Sequence, residues 1–333
     1  MTAISYHATI NDLQGFAFAG RGPFGRPRWF ALLEQGLPET GGKTPLFLLA
    51  RNGTGALALP LVLQGNGLEN LDNWYGFTWA PLATPGADGP ALLGAAARDL
   101  AARTHRVTLG KLPEEDGTAA LIAAAFRRAG WLVRDDICDT NRFLPVAGRS
   151  YGEYLATRPG ALRTTLKRKS GRLEVMIYND FRDYAWAEYE DVYRHSWKPG
   201  EGDRALLRRF AQGEGAAGRI RLALARHDGA VVAAQFWTVE DGVAWIHKLA
   251  HRESARALSP GTVLTAALMQ RVIDQDRVEL VDFGTGDDRY KRDWMECTRP
   301  RRRLACWRPG DPRNWPAIGK AALRTLVSRR AAG

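Results

Sequence analysis

One stretch near the C-terminal end gathers acidic, basic and aromatic side chains behind a strand. Residues 278–283 form a largely apolar run that predicts a buried strand with an aspartate near its end. Gly284 and Gly286 then allow a positive φ or a close backbone approach, and Asp287 or Asp288 is suited to cap a short helix. Loops after strands often carry chemistry because the scaffold fixes them, and a carboxylate held there suits acid–base work. The stretch therefore predicts a functional site or, as the alternative, a polar turn after a core strand.

The same stretch resembles a family signature. Its pattern at residues 282–294, Asp-Phe-Gly-x-Gly-Asp-x-x-Tyr-Lys-x-x-Trp, is similar to the C-terminal signature of the FemAB-like branch of the GNAT acyltransferase superfamily. Members of this branch are often described as having a BioF2-like or CelD-like acetyltransferase domain. Three further segments match in the family's order and at about its spacing, namely 232–237, 247–250 and 259–261. The resemblance covers residues 150–308 well and the first half of the chain in outline.

The resemblance implies a general base on a neighbouring strand. In a GNAT layout the strand Gly242–Ala250 lies beside Val278–Phe283, so that Asp282 approaches His247. An amine acceptor must lose a proton before it attacks a thioester, and a carboxylate that orients a histidine makes a suitable base. We therefore expect His247 to be the base and Asp282 to orient it, the alternative being a histidine satisfied by a hydrogen bond in the core. His195 is the second candidate for the base.

Alternation along the strand Gly242–Ala250 predicts which of its side chains share a face. Successive side chains of a strand point to opposite faces of the sheet. Trp245, His247 and Leu249 therefore fall on one face, and Lys248 falls on the other. This arrangement would place the expected base beside two apolar side chains.

The family's Tyr-Lys pair is present as Tyr290 and Lys291. The resemblance implies that Tyr290 donates a proton to the leaving thiolate or shapes the acyl pocket. It implies that Lys291 holds a phosphate or a carboxylate, and the alternative is a lysine in solvent. No Gly-x-Ser-x-Gly, Cys-His or His-Glu-x-x-His arrangement occurs, so neither covalent serine catalysis nor zinc hydrolysis has support, and no metal cofactor is expected.

The expected donor is an acyl thioester of coenzyme A. In GNAT enzymes its pyrophosphate lies on the N-terminus of the helix after the fourth strand, where free N–H groups and the helix dipole attract phosphate. Here that helix begins at 259–262, but Val263 replaces the second glycine of the usual phosphate loop. This departure fits the FemAB-like branch and keeps aminoacyl-tRNA open as an alternative donor. The residues expected at the donor are Leu249, Ala250, Arg256, Ser259, Gly261, Thr262 and Lys291.

Composition adds constraints on partners and compartment. Lysines and arginines exceed acidic residues by 47 − 36 = 11, and the pI is about 9.9. This excess predicts an anionic partner, which is a phosphate-bearing cofactor, an anionic membrane surface or nucleic acid, although arginine-rich composition alone is an alternative. Three scattered cysteines, at 138, 297 and 306, fit a reduced compartment and show no zinc pattern. With no signal peptide or spanning segment evident, we expect a cytoplasmic protein, with peripheral attachment to the inner membrane face as a further hypothesis.

The order of elements predicts a mixed α/β fold, with a sheet of α+β type. Residues 150–307 show helices, a strand, two helices, a three-strand meander, a helix, a strand, a short helix and a last strand, which agrees with the GNAT layout. The first half repeats this outline more weakly, so we expect tandem GNAT-like domains with a degenerate N-terminal copy. The predicted domains are 1–148, the acyltransferase domain 149–310, and a basic C-terminal helix 311–333.

The tail and the function leave alternatives open. Trp315, Ile318, Ala322, Leu326 and Val327 would line one side of a basic tail helix, which would bind an anionic membrane or dock on the domain. The leading functional hypothesis is an N-acyltransferase that moves an acyl group from acyl-CoA to an amine on a lipid, a long-chain amine such as a sphingoid base, an amino-sugar or an amino-acid derivative. The alternatives are an aminoacyl-tRNA-dependent Fem-like transferase and a non-catalytic exopolysaccharide accessory protein with a decayed site.

Overall fold

Contacts between residues divide the chain into two units. The first is Met1–Thr140 together with Arg299–Gly333, and the second is Asn141–Thr298. The computed structural model describes residues 1–37 and 42–331, with side chains described as far as residue 323. The sequence prediction put the break at residue 148 and kept residues 299–310 with the second domain. The contacts instead group those residues, and the tail, with the first unit.

The first part of the chain alternates strands and helices. The elements up to residue 145 are β1 (Ala3–His7), α1 (Pro27–Gln35), β2 (Lys43–Asn52), β3 (Gly55–Gln64), β4 (Gly67–Asn70), β5 (Leu82–Ala83), α2 (Gly89–Arg103), β6 (Arg106–Pro113), α3 (Thr118–Arg128) and β7 (Leu132–Pro145). Helix α1 begins with a proline in its first turn, where the missing N–H needs no partner within the helix.

The remaining elements follow the predicted order. They are α4 (Tyr151–Ala156), α5 (Gly160–Lys169), β8 (Glu174–Tyr178), α6 (Asp183–Arg194), α7 (Arg204–Ala216), β9 (Ile220–His227), β10 (Ala230–Glu240), β11 (Val243–His251), α8 (Pro260–Gln270), β12 (Leu280–Thr285), α9 (Arg289–Trp294), β13 (Cys297–Trp307) and α10 (Trp315–Ala331). A capping box, which the spacing of Ser150 and Glu153 favours, forms at the start of α4, where the two residues exchange hydrogen bonds. The mixed α/β class is therefore confirmed.

The first unit is built on strands in the order β1, β2, β3, β4, β6 and β13. All neighbours are antiparallel except β4 and β6, which run parallel. Helix α2 packs against β2 and β3, and α3 packs against β6. The fully buried Arg301 on β13 donates to the carbonyl oxygen of Phe77 at 3.1 Å and to both oxygens of Glu115. The origin of this unit as a degenerate copy of the second stays a prediction.

The second unit has the strand order β7, β12, β11, β10, β9 and β8, with β7 contributing residues 141–145. Only β11 and β12 are parallel. Helices cover both faces of this sheet. Side chains of α5 and α8 share one apolar cluster with Trp237, whereas the neighbouring Phe236 packs against Trp186 of α6 and Phe210 of α7 at ring centroid distances of 5.4 and 5.9 Å.

The turns of the meander form as their Asp-Gly pairs predict. β9 and β10 close with His227 opposite Ala230, and the two residues between them adopt φ of 49° and 78°. The turn from β10 to β11 repeats this conformation at Asp241 and Gly242, with φ of 49° and 73°. A two-residue turn with both φ positive matches the right-handed twist of its strands, which explains the preference for Asp-Gly.

The tail forms a helix, α10, that docks on the first unit. Asn314 immediately before it is buried and exchanges hydrogen bonds with His105, from side chain to side chain at 2.8 Å and from Nδ2 to the backbone oxygen at 2.8 Å. The half-buried Ile318 lies on the docked side of α10, whereas Trp315 is 60% exposed. The side chains of Leu326 and Val327 lie outside the described residues. Among the helices that the structure describes, none has the length and apolar character needed to span a membrane.

We expect Gly215→Ala to destabilise the second unit. A Cβ at this position of α7 would lie 2.5 Å from the Cβ and 2.7 Å from the backbone nitrogen of Phe181. Because backbone cannot easily move away, overpacking should lower the free energy of unfolding by about 1–3 kcal/mol. The matched control is Gly160→Ala at the start of α5, where a Cβ would meet no atom within 4 Å. Chemical denaturation of both variants tests this, and equal stability of the two would contradict the packing argument.

Candidate active site

The two parallel strands at the centre of the second unit, β11 and β12, separate partway along their length. β11 and β12 pair only where Val243–Trp245 lies opposite Leu280–Asp282. Beyond that point β11 continues along β10 to His251, and among the described residues no further pair joins β11 to β12. Ligands of open α/β sheets bind in crevices at the carboxyl ends of the strands. The parting therefore creates a crevice whose walls are the second half of β11 and the segment after β12.

A β-bulge sits on the wall formed by β11. The pairing of β10 with β11 steps from Phe236 opposite Lys248 to Trp237 opposite Ile246, so that His247 is the extra residue of the bulge. The bulge changes the alternation of side chains. Both His247 and Lys248 consequently reach the α6 and α7 layer.

The alternation predicted from the sequence is wrong beyond this bulge. Leu249 was expected on the face of His247, but its side chain contacts the start of α8 on the opposite face, 3.4 Å from where a Cβ of Gly261 would lie. Lys248 was expected opposite His247, and it shares that residue's face instead. The physical reason is that an inserted residue shifts the two-residue period by one.

His247 lies in a partly apolar environment. Its Nε2 is 2.8 Å from the hydroxyl of Thr238, and its ring stacks on Phe236 with centroids 4.9 Å apart. Phe210 approaches the ring edge-on at 5.1 Å. A histidine held in this way keeps a fixed ring orientation, which suits proton transfer and equally suits a structural hydrogen bond.

Asp282 is fully buried at the end of the paired segment. Its Oδ1 accepts hydrogen bonds from Nδ2 of Asn141 and from the backbone nitrogen of Gly284, each at 2.7 Å. These bonds hold the backbone near the end of β12, where Gly284 has a φ of 70°. The structure thus gives Asp282 a clear role in the end of this strand, and its pairing with His247 stays a prediction.

Tyr290 on α9 is hydrogen-bonded to helix α8. Its hydroxyl is 2.7 Å from that of Thr265 and donates to the backbone oxygen of Gly261 at 3.0 Å. Thr265 in turn lies 3.1 Å from Oε1 of Gln235, and both of these side chains are fully buried. Burial raises the pKa of Tyr290, so the phenol keeps its proton at neutral pH. The structure therefore brings together Tyr290 and Gly261, both expected at the site.

Lys291 is turned back onto the end of β12. Its Nζ donates to the backbone oxygen of Thr285 and lies 5.4 Å from the ring centroid of Phe283. The cap of α9 is Asp288, whose side chain accepts from the backbone nitrogen of Lys291 at 3.0 Å, whereas Asp287 pairs with Arg142. Lys291 is half-buried at the crevice, which differs from a lysine extended into solvent.

The start of α8 fits the group that the donor must present. Ser259 has a φ of 51° and no side chain caps the helix, which begins with Pro260. Pro260 has no N–H, and the backbone nitrogens of Thr262 and Val263 donate to the carbonyl oxygen of Ser259 at 3.1 and 3.2 Å, so the helix dipole is what favours an anion at this point. Thr262 is half-buried in the first turn, and Arg256 lies exposed just before the helix. Ala250 is fully buried on β11, and its place at the donor stays a prediction.

His195 occupies a different environment. It lies at the C-terminal end of α6, more than half of its side chain is exposed, and its Nδ1 is 2.9 Å from the backbone oxygen of Asp191. Such a histidine is well solvated.

A buried ion pair was missed by the sequence argument. Nζ of Lys248 lies 2.9 Å from Oε1 of Glu201, and the two side chains are 6% and 5% exposed. Burial lowers the pKa of Lys248 to about 8, although the charge of Glu201 opposes this shift. A charged residue inside an otherwise apolar strand was the only signal for Lys248. Glu201 lies in the segment between α6 and α7, where nothing in the sequence marked it.

Comparison with known proteins adds the family of the second unit. Residues 160–292 match the family model described as the acetyltransferase (GNAT) domain. This segment is a GNAT acyltransferase domain. The sequence-based assignment to this superfamily and to an acyltransferase is thereby confirmed. No curated protein matches the chain.

Solved structures extend the likeness over the whole chain. The C-terminal domain of a putative lysylphosphatidylglycerol synthetase from Agrobacterium fabrum has a TM-score of 0.56 and 16% identity, covering 90% of each chain. FemX has a TM-score of 0.58 and 10% identity over 90% of this chain and 96% of its own. A tandem GNAT protein from the clavulanic acid biosynthesis pathway has a TM-score of 0.51 and 18% identity over 93% and 100%. These neighbours share the fold.

We predict that Lys248 titrates far below an ordinary lysine. The pKa of about 8 should appear as a lysine side-chain signal that titrates near pH 8 in NMR spectra and is lost in Lys248→Met. Since the Glu201 carboxylate stabilises the ammonium, Glu201→Gln should move that titration to lower pH. Because the folded state releases this proton before the unfolded state does, the free energy of unfolding should rise between about pH 8 and pH 10.5 relative to Lys248→Met.

The exposed Lys167 on α5 is the matched control for this titration. Lys167→Met should leave the signal near pH 8 and its dependence on Glu201 unchanged. A Lys248 signal that titrates above pH 10 would contradict the argument from burial.

Proposed function

We propose that the protein is an acyl-CoA-dependent N-acyltransferase. The observation that carries the proposal is the uncapped start of α8 next to the crevice where β11 and β12 separate. A phosphate-bearing donor would place its anionic part on this helix start and its acyl group in the crevice. A Cβ at Gly261 would lie 3.4 Å from the side chain of Leu249, so the start of α8 packs closely on the second half of β11.

The reaction would use residues on both walls of the crevice. The acceptor nitrogen attacks the carbonyl carbon of the thioester, a C–N bond forms, the C–S bond breaks, and the sulfur leaves as a thiolate. The nitrogen must lose one proton to a base, and the thiolate gains one proton. Tyr290 remains protonated because burial raises its pKa, so it can supply the second proton. It would regain a proton from solvent.

Two neighbouring residues are candidates for the base. His247 is the one that the family resemblance implies, and its ring is fixed by Thr238 and Phe236. Lys248 has a pKa of about 8, which leaves part of the population neutral at physiological pH. We propose His247 as the base. Lys248 and Glu201 would neutralise each other's charge next to it.

The acceptor is an amine in this proposal. The tail is a separate hypothesis: the exposed Trp315 and Leu323 of α10 suit an anionic membrane surface, while Ile318 and Ala321 already line a groove of the first unit. Attachment of this kind would bring a lipid or long-chain amine to the enzyme. This hypothesis about the tail rests on its basic residues and on the exposure of Trp315 and Leu323.

Binding of acetyl-CoA should stabilise the protein. At a hundredfold excess over Kd the free energy of unfolding should rise by about 2.7 kcal/mol. Thr262→Asp places a carboxylate in the first turn of α8, where it suits the helix dipole but repels phosphate. We expect this variant to bind acetyl-CoA at least about tenfold more weakly, which is 1.4 kcal/mol. Thr262→Asn, which has the shape of the aspartate variant but no charge, is the control and should retain binding. Thermal shift and calorimetry measure both.

The donor class has its own deciding outcome. A stability increase with aminoacyl-tRNA but with no CoA compound would transfer the assignment to an aminoacyl-tRNA-dependent transferase. An absence of stabilisation by either donor would support the non-catalytic alternative.

His247→Ala should lower kcat by on the order of 10²–10⁴ because the general base is lost. Donor binding should persist, since His247 is not at the helix start. The exposed His227 offers the control variant His227→Ala, which should keep wild-type turnover. A pH–rate profile with acetyl-CoA and an amine distinguishes the candidates. If Lys248→Met or His195→Ala abolishes the acidic limb of the profile, where the base becomes protonated, while His247→Ala does not, His247 is excluded as the base.

A further inference from the structure

A cavity of about 220 Å³ lies between α6, α7 and the segment that joins them. Three aromatic side chains of α6, Trp186, Tyr189 and Tyr193, line one wall. Their spacing along the helix puts them on one face, and the rings contact one another in sequence, with centroids 4.6 and 6.1 Å apart. The cavity therefore offers a rigid aromatic surface, with charged groups around it.

The acidic groups of the cavity already have cationic or hydrogen-bonding partners. Glu201 pairs with Lys248 at 2.9 Å, and Glu190 accepts from the indole nitrogen of Trp186 at 3.1 Å and lies 3.8 Å from Arg208. A carboxylate satisfied in this way gains little from a further cation.

Two cations on the same lining have no such partner. Within the described part of the chain, Lys198 and Arg204 form no ion pair, although both face the cavity. Nζ of Lys198 instead lies 5.9 Å from the ring centroid of Tyr193 and 5.7 Å from that of Trp197. A half-buried ammonium among aromatic rings lacks part of the hydration that would stabilise its charge, and the nearby Glu201 is already paired with Lys248. The cavity is therefore lined by two cationic side chains that no carboxylate of the described residues holds in an ion pair.

Lys198 also connects the cavity with the crevice. Burial lowers the pKa of Lys198, and the charges of Glu201, Lys291 and Asp288 act on it in that order. Lys291 and Asp288 belong to the stretch after β12 that lines the crevice. Lys248, which lies on the bulged segment of β11, reaches the same cavity through Glu201. A ligand in the cavity would therefore lie close to the groups proposed for acyl transfer.

We propose that this cavity binds an anionic group of the acceptor, a carboxylate or a phosphate, through Lys198 and Arg204, with the adjoining apolar part against Tyr189 and Tyr193. The proposal rests on the N-acyltransferase function and names the chemical class of its acceptor: an amine that also carries an anion. Both cations can offer charge-assisted hydrogen bonds, and the fork of Arg204 suits either anion. An unmodified long-chain amine has no anion to place there, so it fits this cavity less well than an amino acid or an amino phosphate.

The test compares probes of one shape and different charge. Calorimetry without any donor would measure the binding of 3-phenylpropionate, its neutral amide and 3-phenylpropylamine, and phenyl phosphate would separate phosphate from carboxylate recognition. We expect an anionic probe to bind and the amide to bind at least about tenfold more weakly, as loss of a charged hydrogen bond implies. Equal affinity for the acid and the amide, or tightest binding of the amine, would overturn the proposal.

Variants locate the binding. Lys198→Met and, independently, Arg204→Gln should each weaken the anionic probe by about tenfold. Lys167→Met, at an exposed lysine of α5 that forms no ion pair in the described chain, is the control and should not change the affinity. Unchanged affinity in both cavity variants would refute the site.

Acetyl-CoA binding by the same variants distinguishes the two proposals. If acetyl-CoA still stabilises Lys198→Met while the anionic probe is lost, the donor site and the acceptor cavity are separate, as we infer. If the wild type binds the anionic probe but no CoA compound, the cavity is supported and the proposed donor is wrong. Circular dichroism of each variant confirms that it has folded.

Discussion

The candidate site depends on the end of one short parallel ladder. β11 and β12 share three residue pairs, and after Trp245 and Asp282 each strand must satisfy its backbone elsewhere. β11 does so along β10, with a bulge at His247. β12 changes direction at Gly284, where Asp282 accepts two hydrogen bonds. The separation opens a crevice without any added domain. Because α8 and α9 are the next α-helices along the chain after β11 and β12, the same separation would position the proposed donor and reacting groups.

Buried polar groups keep the walls of this crevice in one arrangement. A polar group removed from water is costly unless it is hydrogen-bonded, so the contacts of Asp282, Thr265 and Tyr290 must form together when the unit folds. Tyr290 and Thr265 have two hydroxyl protons for three close contacts, to each other, to Gly261 and to Gln235. The two protons can therefore be distributed over these three contacts in more than one way. A phenol in such a chain can pass on its proton while its oxygen stays in place.

The cationic side chains of the second unit differ in whether a carboxylate pairs with them. Glu201 compensates the buried Lys248, and its neighbours Lys198 and Arg204 are left with no ion pair among the described residues. Ion pairs hold other arginines, as in the contact of Arg221 with Asp276 at 2.9 Å. The net charge of +11 therefore does not show which cations lie at a cavity without an ion pair. An anionic substrate is favoured where cations converge on a cavity, and the rest of the positive surface supplies long-range attraction.

Local interactions explain what the sequence by itself determined. The Asp-Gly turns, the Ser150–Glu153 capping box and the Pro260 helix start involve residues a few positions apart, so residue type and spacing were enough to predict them. The family signature likewise identified Tyr290 and Gly261, which the fold brings within 3.0 Å. Tertiary structure alone decided the bulge at His247, the contact of Asn141 with Asp282, and the pairing of Lys248 with Glu201. The physical reason is that a strand's alternation holds only while its ladder is unbroken, and that partners far apart in sequence are selected by packing and burial, which no local pattern encodes.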